Sequence, residues 1–176
     1  EFENRNDVTE AEYIEMIRLK TSVLLACAVK LGALLADAPA GDVENLYKFG
    51  ERIGLAFQLQ DDYLDVYGDP KVFGKKIGGD ITSNKKTYML INALNKANAR
   101  QRKELEKWIG CRSFDRDEKV AAVTALYSKI GVDKMAIDCI NRYFDEANKY
   151  LAAVNLPGAR KTELTAYAQK LLHRQR

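Results

Sequence analysis

The sequence predicts an all-α fold, and three observations carry that reading. No stretch shows the strict apolar–polar alternation of a strand. Apolar residues recur instead at steps of three and four over long segments. Proline, which breaks helix interiors, occurs only 3 times in 176 residues. A hydrophobic fraction of 47% and a charged fraction of 30% suit a globular domain with a sizeable core. No repeat, low-complexity tract or linker interrupts the chain, so 1–176 reads as one helical domain or part of one.

Each helix has a local cause. Thr9-Glu10-Ala11-Glu12 is a capping box: the Thr side chain accepts the amide three residues on, and Glu12 reaches back. That helix is expected to run to about Asp37, before Ala38-Pro39-Ala40-Gly41. A second runs from near Asp42 to about Val66. A loop rich in Gly and Lys spans Gly68 to Asn84, and a third helix comes next, from Lys85 to about Ala97. Shorter helices cover 99–109, 115–130, 132–152 and 160–173, with Pro157-Gly158 separating the last two.

Composition excludes several functions. A net charge of +3, from 28 basic and 25 acidic residues, is too balanced for nucleic acid as the main partner. Cys27, Cys111 and Cys139 are odd in number and widely spaced, which gives neither a disulfide framework nor a zinc pattern. They read as small apolar residues inside helices, in a reducing compartment such as the cytoplasm. The only histidine is His173, so His-cluster metal sites are excluded. No apolar run approaches the roughly 20 residues of a membrane span. The N-terminus is no signal peptide and carries no Met, so the sequence is expected to begin part-way through a longer protein.

Two helices carry an anomaly. On the first, Tyr13, Ile17, Leu24, Cys27 and Leu31 trace an apolar seam, and Lys20 occupies its one polar position, with Thr21 next to it. Either Lys20 snorkels to water along its stem, or the seam faces a cavity that holds an anion. On the second, Leu46, Phe49, Ile53, Phe57 and Leu64 form an apolar stripe. Gln58, Asp61, Asp62 and Asp65 run beside it on one face. Carboxylates this close repel one another near the negative end of the helix dipole, unless a cation sits among them. The bland alternative is a solvated acidic face. Oxygen ligands alone suit magnesium, which completes its shell with water and phosphate, so the pattern anticipates a phosphorylated ligand. Gly50 and Gly54 thin one side of this helix and let a neighbour come close. Behind it, Gly74-Lys75-Lys76-Ile77-Gly78-Gly79-Asp80-Ile81 and Asn84-Lys85-Lys86-Thr87 supply positive charge able to reach an oxyanion.

Phe57-Gln58-Leu59-Gln60-Asp61-Asp62-Tyr63-Leu64-Asp65 with Val66-Tyr67-Gly68-Asp69-Pro70 resembles the second aspartate-rich motif of the trans-isoprenyl diphosphate synthases. This is the polyprenyl synthetase family, which includes farnesyl and geranylgeranyl diphosphate synthases. Lys76 to Ile81 and Asn84-Lys85 resemble the segment next to that motif, and Lys20-Thr21 resembles the family's Lys-Thr pair. The resemblance covers most of residues 1–95 and from 96 onward rests on helical character.

The resemblance implies an isoprenoid-synthase-type helical bundle that condenses isopentenyl diphosphate with an allylic diphosphate. It implies Mg2+ at Asp61 and Asp62, with Asp65 in support. Lys20, Lys76 and Lys85 are expected to bind the allylic diphosphate, with Lys75 and Lys86 as the neighbours able to replace the last two. Thr21 and Gln58 are expected beside the carbocation and Phe57 along the hydrocarbon pocket. A homodimer is implied by resemblance alone. The family's first aspartate-rich motif and its N-terminal isopentenyl diphosphate-binding segment have no counterpart in this sequence. The chain is therefore expected to be the C-terminal portion of a synthase, inactive alone. The alternatives are a non-catalytic partner subunit of a heteromeric synthase and, less favoured by the Gly-Lys loop, a terpene cyclase.

Overall fold

A computed structural model describes residues 5, 7–69 and 76–172. Every regular element among them is helical. Helix α1 spans Glu10–Ile17, a π-helical turn spans Arg18–Ser22, and α2 spans Val23–Leu35. Next come α3 (Ala40–Tyr67), α4 (Gly79–Thr82), α5 (Tyr88–Lys96), α6 (Ala99–Gly110), α7 (Arg116–Ile130), α8 (Val132–Ala153) and α9 (Gly158–Leu172). The expected all-α class holds, and most helix ends fall within a few residues of the sequence expectation. The main addition is α4, which forms inside the expected Gly-Lys loop.

The caps are the ones the sequence encodes. The Thr9 Oγ1 accepts the Glu12 amide at 3.2 Å, and the Glu12 carboxylate accepts the Thr9 amide at 2.9 Å. Asn98 and Gln101 close a second capping box on α6. Asp115 accepts the Glu118 amide at 2.8 Å to start α7. Gly131 ends α7 with φ +87°, the left-handed cap that glycine adopts without strain. Cys27 and Cys139 lie within helices as expected, whereas Cys111 sits just past the end of α6 and donates its thiol to the Ser113 carbonyl.

The chain divides into two compact units, and among the described residues the divisions fall inside helices rather than in linkers. The first comprises Glu1–Tyr13 and Asp61–Ile137. Here α4, α5 and α6 each pack on α7. Ile81, Met89, Leu90, Leu105, Val123 and Leu126 are buried in this unit. The second comprises Ile14–Gln60 and Asp138–Arg174. Its core joins Ala33, Val43, Leu46, Phe49, Ile53, Ala147, Leu151, Val154 and Ala168. Among the described residues no helix is long and apolar enough to cross a membrane.

The apolar seam expected on the first helix is broken by the π turn. The Val23 amide bonds to the Arg18 carbonyl, five residues back, which inserts one extra residue into the ladder. Tyr13 and Ile17 are buried as expected. From the end of the turn onward the buried face passes to Ser22, Ala26 and Ala33. Leu24 and Leu31, expected on the seam, are 77% and 59% exposed. One inserted residue rotates the helix beyond it by about 100°, so counting threes and fours past Ile17 selects the wrong face.

The face that does turn inward is made of small side chains for a reason. A Cβ on Gly54 would lie 2.6 Å from the Ser22 Cα, and one on Gly50 would lie 2.8 Å from the Ala26 Cα. Helix α3 therefore crosses the π turn and α2 backbone against backbone, as the two glycines suggested. Gly32, by contrast, faces open space. Gly54→Ala is expected to destabilise the protein by roughly 2 kcal/mol, because overpacking against backbone outweighs the gain in helix propensity. Gly32→Ala is expected to stabilise it by about 0.5–1 kcal/mol. Urea unfolding of the two variants checks both signs.

Candidate functional site

The C-terminal turns of α3 carry the acidic face, and the loop leading through α4 to α5 folds against them. Asp62 is 2% exposed. Its Oδ2 accepts a hydrogen bond from the Tyr13 hydroxyl. The Lys85 ammonium stands 3.9 Å from Asp62 Oδ1 and donates to both oxygens of Asp80, at 3.0 and 2.9 Å. Asp65 Oδ2 accepts the Asp80 amide at 2.8 Å, and its carbonyl accepts the Gly78 amide. Gly78 takes φ +81° with Val120 packed against it, so the loop turns where only glycine fits. Asp62 and Asp80 thus stand beside the Lys85 ammonium, and Asp65 is tied to the same loop through the Asp80 amide.

Burial dominates the titration of these carboxyls. Burial pushes the Asp62 carboxyl up from 3.8 to about 7, against the pull of the Tyr13 hydroxyl and Lys85 and with the push of Asp80. Asp65 is also raised by burial, against the Asp80 amide. Burial alone lowers Lys85, but its hydrogen bond to Asp80 and the charges of Asp80, Asp62 and Asp65 outweigh that and raise it. Burial and the Asp62 charge raise the Tyr13 phenol, so it stays a donor.

The residues predicted from the sequence fall into distinct settings. Asp61 and Asp65 are half-buried and Asp62 is buried. Lys85 meets the carboxylates, whereas Lys86 lines a different cavity with Val8, Leu90, Arg102 and Glu106. Of the two, Lys85 is the one that stands beside Asp62 and Asp80. Lys76 is exposed, and Lys75 lies outside the described residues. In the other unit, Thr21 donates its hydroxyl to Gln58 Oε1 at 2.9 Å, and Phe57 is half-buried. Lys20 sits in the π turn and is exposed, so its ammonium is not buried in an apolar seam.

Two participants carry little signal in the sequence. Tyr13 looks like one more apolar seam residue, though a tyrosine four residues into a helix is also a hydroxyl needing a partner. Asp80 stands in plain view after Gly78-Gly79, but its pairing with Lys85 depends on the turn between them. The donor set fits a hard cation in chemistry, since every side chain offers oxygen. Among the described residues, no three acidic, His or Cys side chains converge on a common point to form a closed cage.

A polyprenyl synthetase family model matches residues 1–127. The chain is 41% identical over 136 residues to a short chain isoprenyl diphosphate synthase of Methanothermobacter thermautotrophicus, covering 77% of this chain and 41% of that protein. It is similar in structure to a geranylgeranyl pyrophosphate synthase at 38% identity and a TM-score of 0.90, covering 98% of this chain and 54% of that one. It also resembles, at 28% identity and a TM-score of 0.82, a geranylgeranyl pyrophosphate synthase of Corynebacterium glutamicum complexed with isoprenyl diphosphate and magnesium. That match covers 93% of this chain and 46% of the other. The chain spans about half the length, or less, of the relatives it matches.

The Asp62 shift has a definite consequence. Between 3.8 and about 7 the folded protein holds a proton that the unfolded chain has lost. Its contribution to stability therefore falls as pH rises through that window and is level above it. Asp62→Asn removes this slope, so its urea midpoint relative to wild type is expected to rise from pH 4 to pH 8. Parallel curves for the two proteins contradict the burial of an ionisable carboxyl.

Proposed function

Because this chain belongs to the polyprenyl synthetase family, we propose that it supplies the second aspartate-rich half of a trans-prenyl diphosphate synthase. The substrates are isopentenyl diphosphate and an allylic diphosphate, and the rest of the site comes from sequence outside these 176 residues. The observation that carries this reading is the meeting of Lys85 with the carboxylates of Asp62 and Asp80 at the end of α3. It puts a raised, firmly charged ammonium beside carboxylates whose negative charge it only partly offsets.

Magnesium, held by Asp61 and Asp62 with Asp65 in support, would neutralise charge developing on the departing diphosphate. The chain's own residues do the rest. Tyr13 fixes the Asp62 carboxylate from behind. Asp80 holds Lys85 and, through its amide, Asp65, so loop and helix keep one arrangement. Lys85, Lys76 and Lys20 bind diphosphate oxygens. Thr21 and Gln58, already hydrogen-bonded to each other, present oxygen to the carbocation, and Phe57 lines the hydrocarbon pocket. Cytoplasmic location and homodimerisation are part of the same reading and rest on the family resemblance, the former also on three free cysteines.

Incubated with both substrates and magnesium, the 176-residue chain is expected to extend no prenyl chain; chain growth would overturn the half-site reading. In the complete synthase, Asp61→Ala is expected to cost about 100-fold or more in kcat. Lys85→Ala is expected to lower kcat/KM for the allylic substrate far more than Lys86→Ala. Equal effects of the two lysines, or an Asp61→Ala enzyme within a few-fold of wild type, contradict the assignment.

A further inference from the structure

The face of α7 beneath the loop holds a lysine that the proposed reaction does not use. Lys119 is 1% exposed. Its ammonium donates to Asn84 Oδ1 at 2.8 Å and lies 4.2 Å from the centre of the Phe114 ring. Among the described residues no carboxylate is within ion-pair distance of it. A buried ammonium with so little compensation is costly, and an apolar side chain would fill the same space at lower cost.

What Lys119 holds is informative. Asn84 directly precedes Lys85 and takes φ +52°, a left-handed conformation that asparagine tolerates but does not prefer. A lysine only donates, so the Asn84 amide is oriented unambiguously: Oδ1 to Lys119, and Nδ2 to the Ile109 carbonyl at 3.1 Å. Both ends of the amide are thereby tied to helices, Oδ1 to α7 and Nδ2 to α6. Two further residues on the same face of α7 grip the loop. Arg116 donates to the Ile77 carbonyl at 2.7 Å, and Val120 packs on Gly78. Asp80, Asn84 and Lys119 line one small cavity, so the contact lies directly under the residues that meet α3.

We propose that Lys119 is a positioning residue for Lys85: it pins Asn84 in its left-handed turn and so fixes where the Lys85 ammonium stands between Asp80 and Asp62. The consequence for ligand binding rests on the reading of Lys85 as a diphosphate ligand; the positioning itself does not.

Amide hydrogen exchange on the chain tests the pinning. The Asn84 amide bonds to the Ile81 carbonyl at 3.2 Å and the Lys85 amide to the Asp80 carbonyl at 3.0 Å, so both report the turn. Lys119→Met is expected to speed exchange at these two amides by about tenfold or more, with Val123 and Leu126 of α7 unchanged within about twofold. Unchanged protection at Asn84 and Lys85, or an equal rise along α7, overturns the proposal. Should Lys119→Met fail to fold, Asn84→Gly keeps the left-handed turn and breaks the same contact. It must loosen the Lys85 amide by a similar factor, and retained protection there overturns the proposal equally. Lys85→Ala, titrated with inorganic pyrophosphate and magnesium, separates the two readings. Affinity no different from wild type refutes the diphosphate role of Lys85 and leaves the exchange result standing on its own.

Discussion

The site is organised by negative charge gathered at the end of α3, where one carboxyl, that of Asp62, is withdrawn from water. Asp62 is buried, Lys85 stands beside it and Asp80, and the Asp80 amide bonds to Asp65. Such a cluster is stable only if each oxygen is partnered and the loop that brings the ammonium is held in place. The Tyr13 hydroxyl, the Asp80 amide and the Gly78 turn answer the first need. Arg116, Lys119 and Val120 on one face of α7 answer the second. Burial raises the Asp62 and Asp65 carboxyls, and the proposed cation would favour their ionised forms.

The second unit solves a different problem, that of bringing two helix backbones together. Gly50 and Gly54 on α3 meet Ala26 and Ser22. The π turn at Arg18–Ser22 sets which residues of the first helical run face that crossing. It also presents Thr21 to Gln58 while Lys20 stays exposed. Single-turn π segments are common at functional positions, and here one carries the Lys-Thr pair singled out by resemblance.

Much of this is legible in the sequence. The all-α class, the Thr9–Glu12 box, the span of α3 and the role of its two glycines come from periodicity, capping and side-chain size. The acidic face and the lysine loop are also visible, because carboxylates at helical spacing need an explanation. The features that are not legible depend on local backbone geometry. The π turn leaves no mark on apolar periodicity, so counting assigns Leu24 and Leu31 to the wrong face. Which of Lys85 and Lys86 meets the carboxylates depends on the turn at Asn84, and the Tyr13 hydroxyl finds its partner only with Asp62 beside it. Lys119 falls at an ordinary place in α7, and nothing in its flanking residues marks it as buried.

The most direct test of the account is the titration of Asp62 itself, tracked by NMR of its carboxyl carbon with and without magnesium and pyrophosphate. Alone, Asp62 is expected to titrate at about 7, raised by burial. If the cluster is a magnesium–diphosphate site, the added ions move that midpoint down into the ordinary carboxylate range, since a bound cation favours the ionised form. A midpoint that stays in place at saturating magnesium and pyrophosphate contradicts the account.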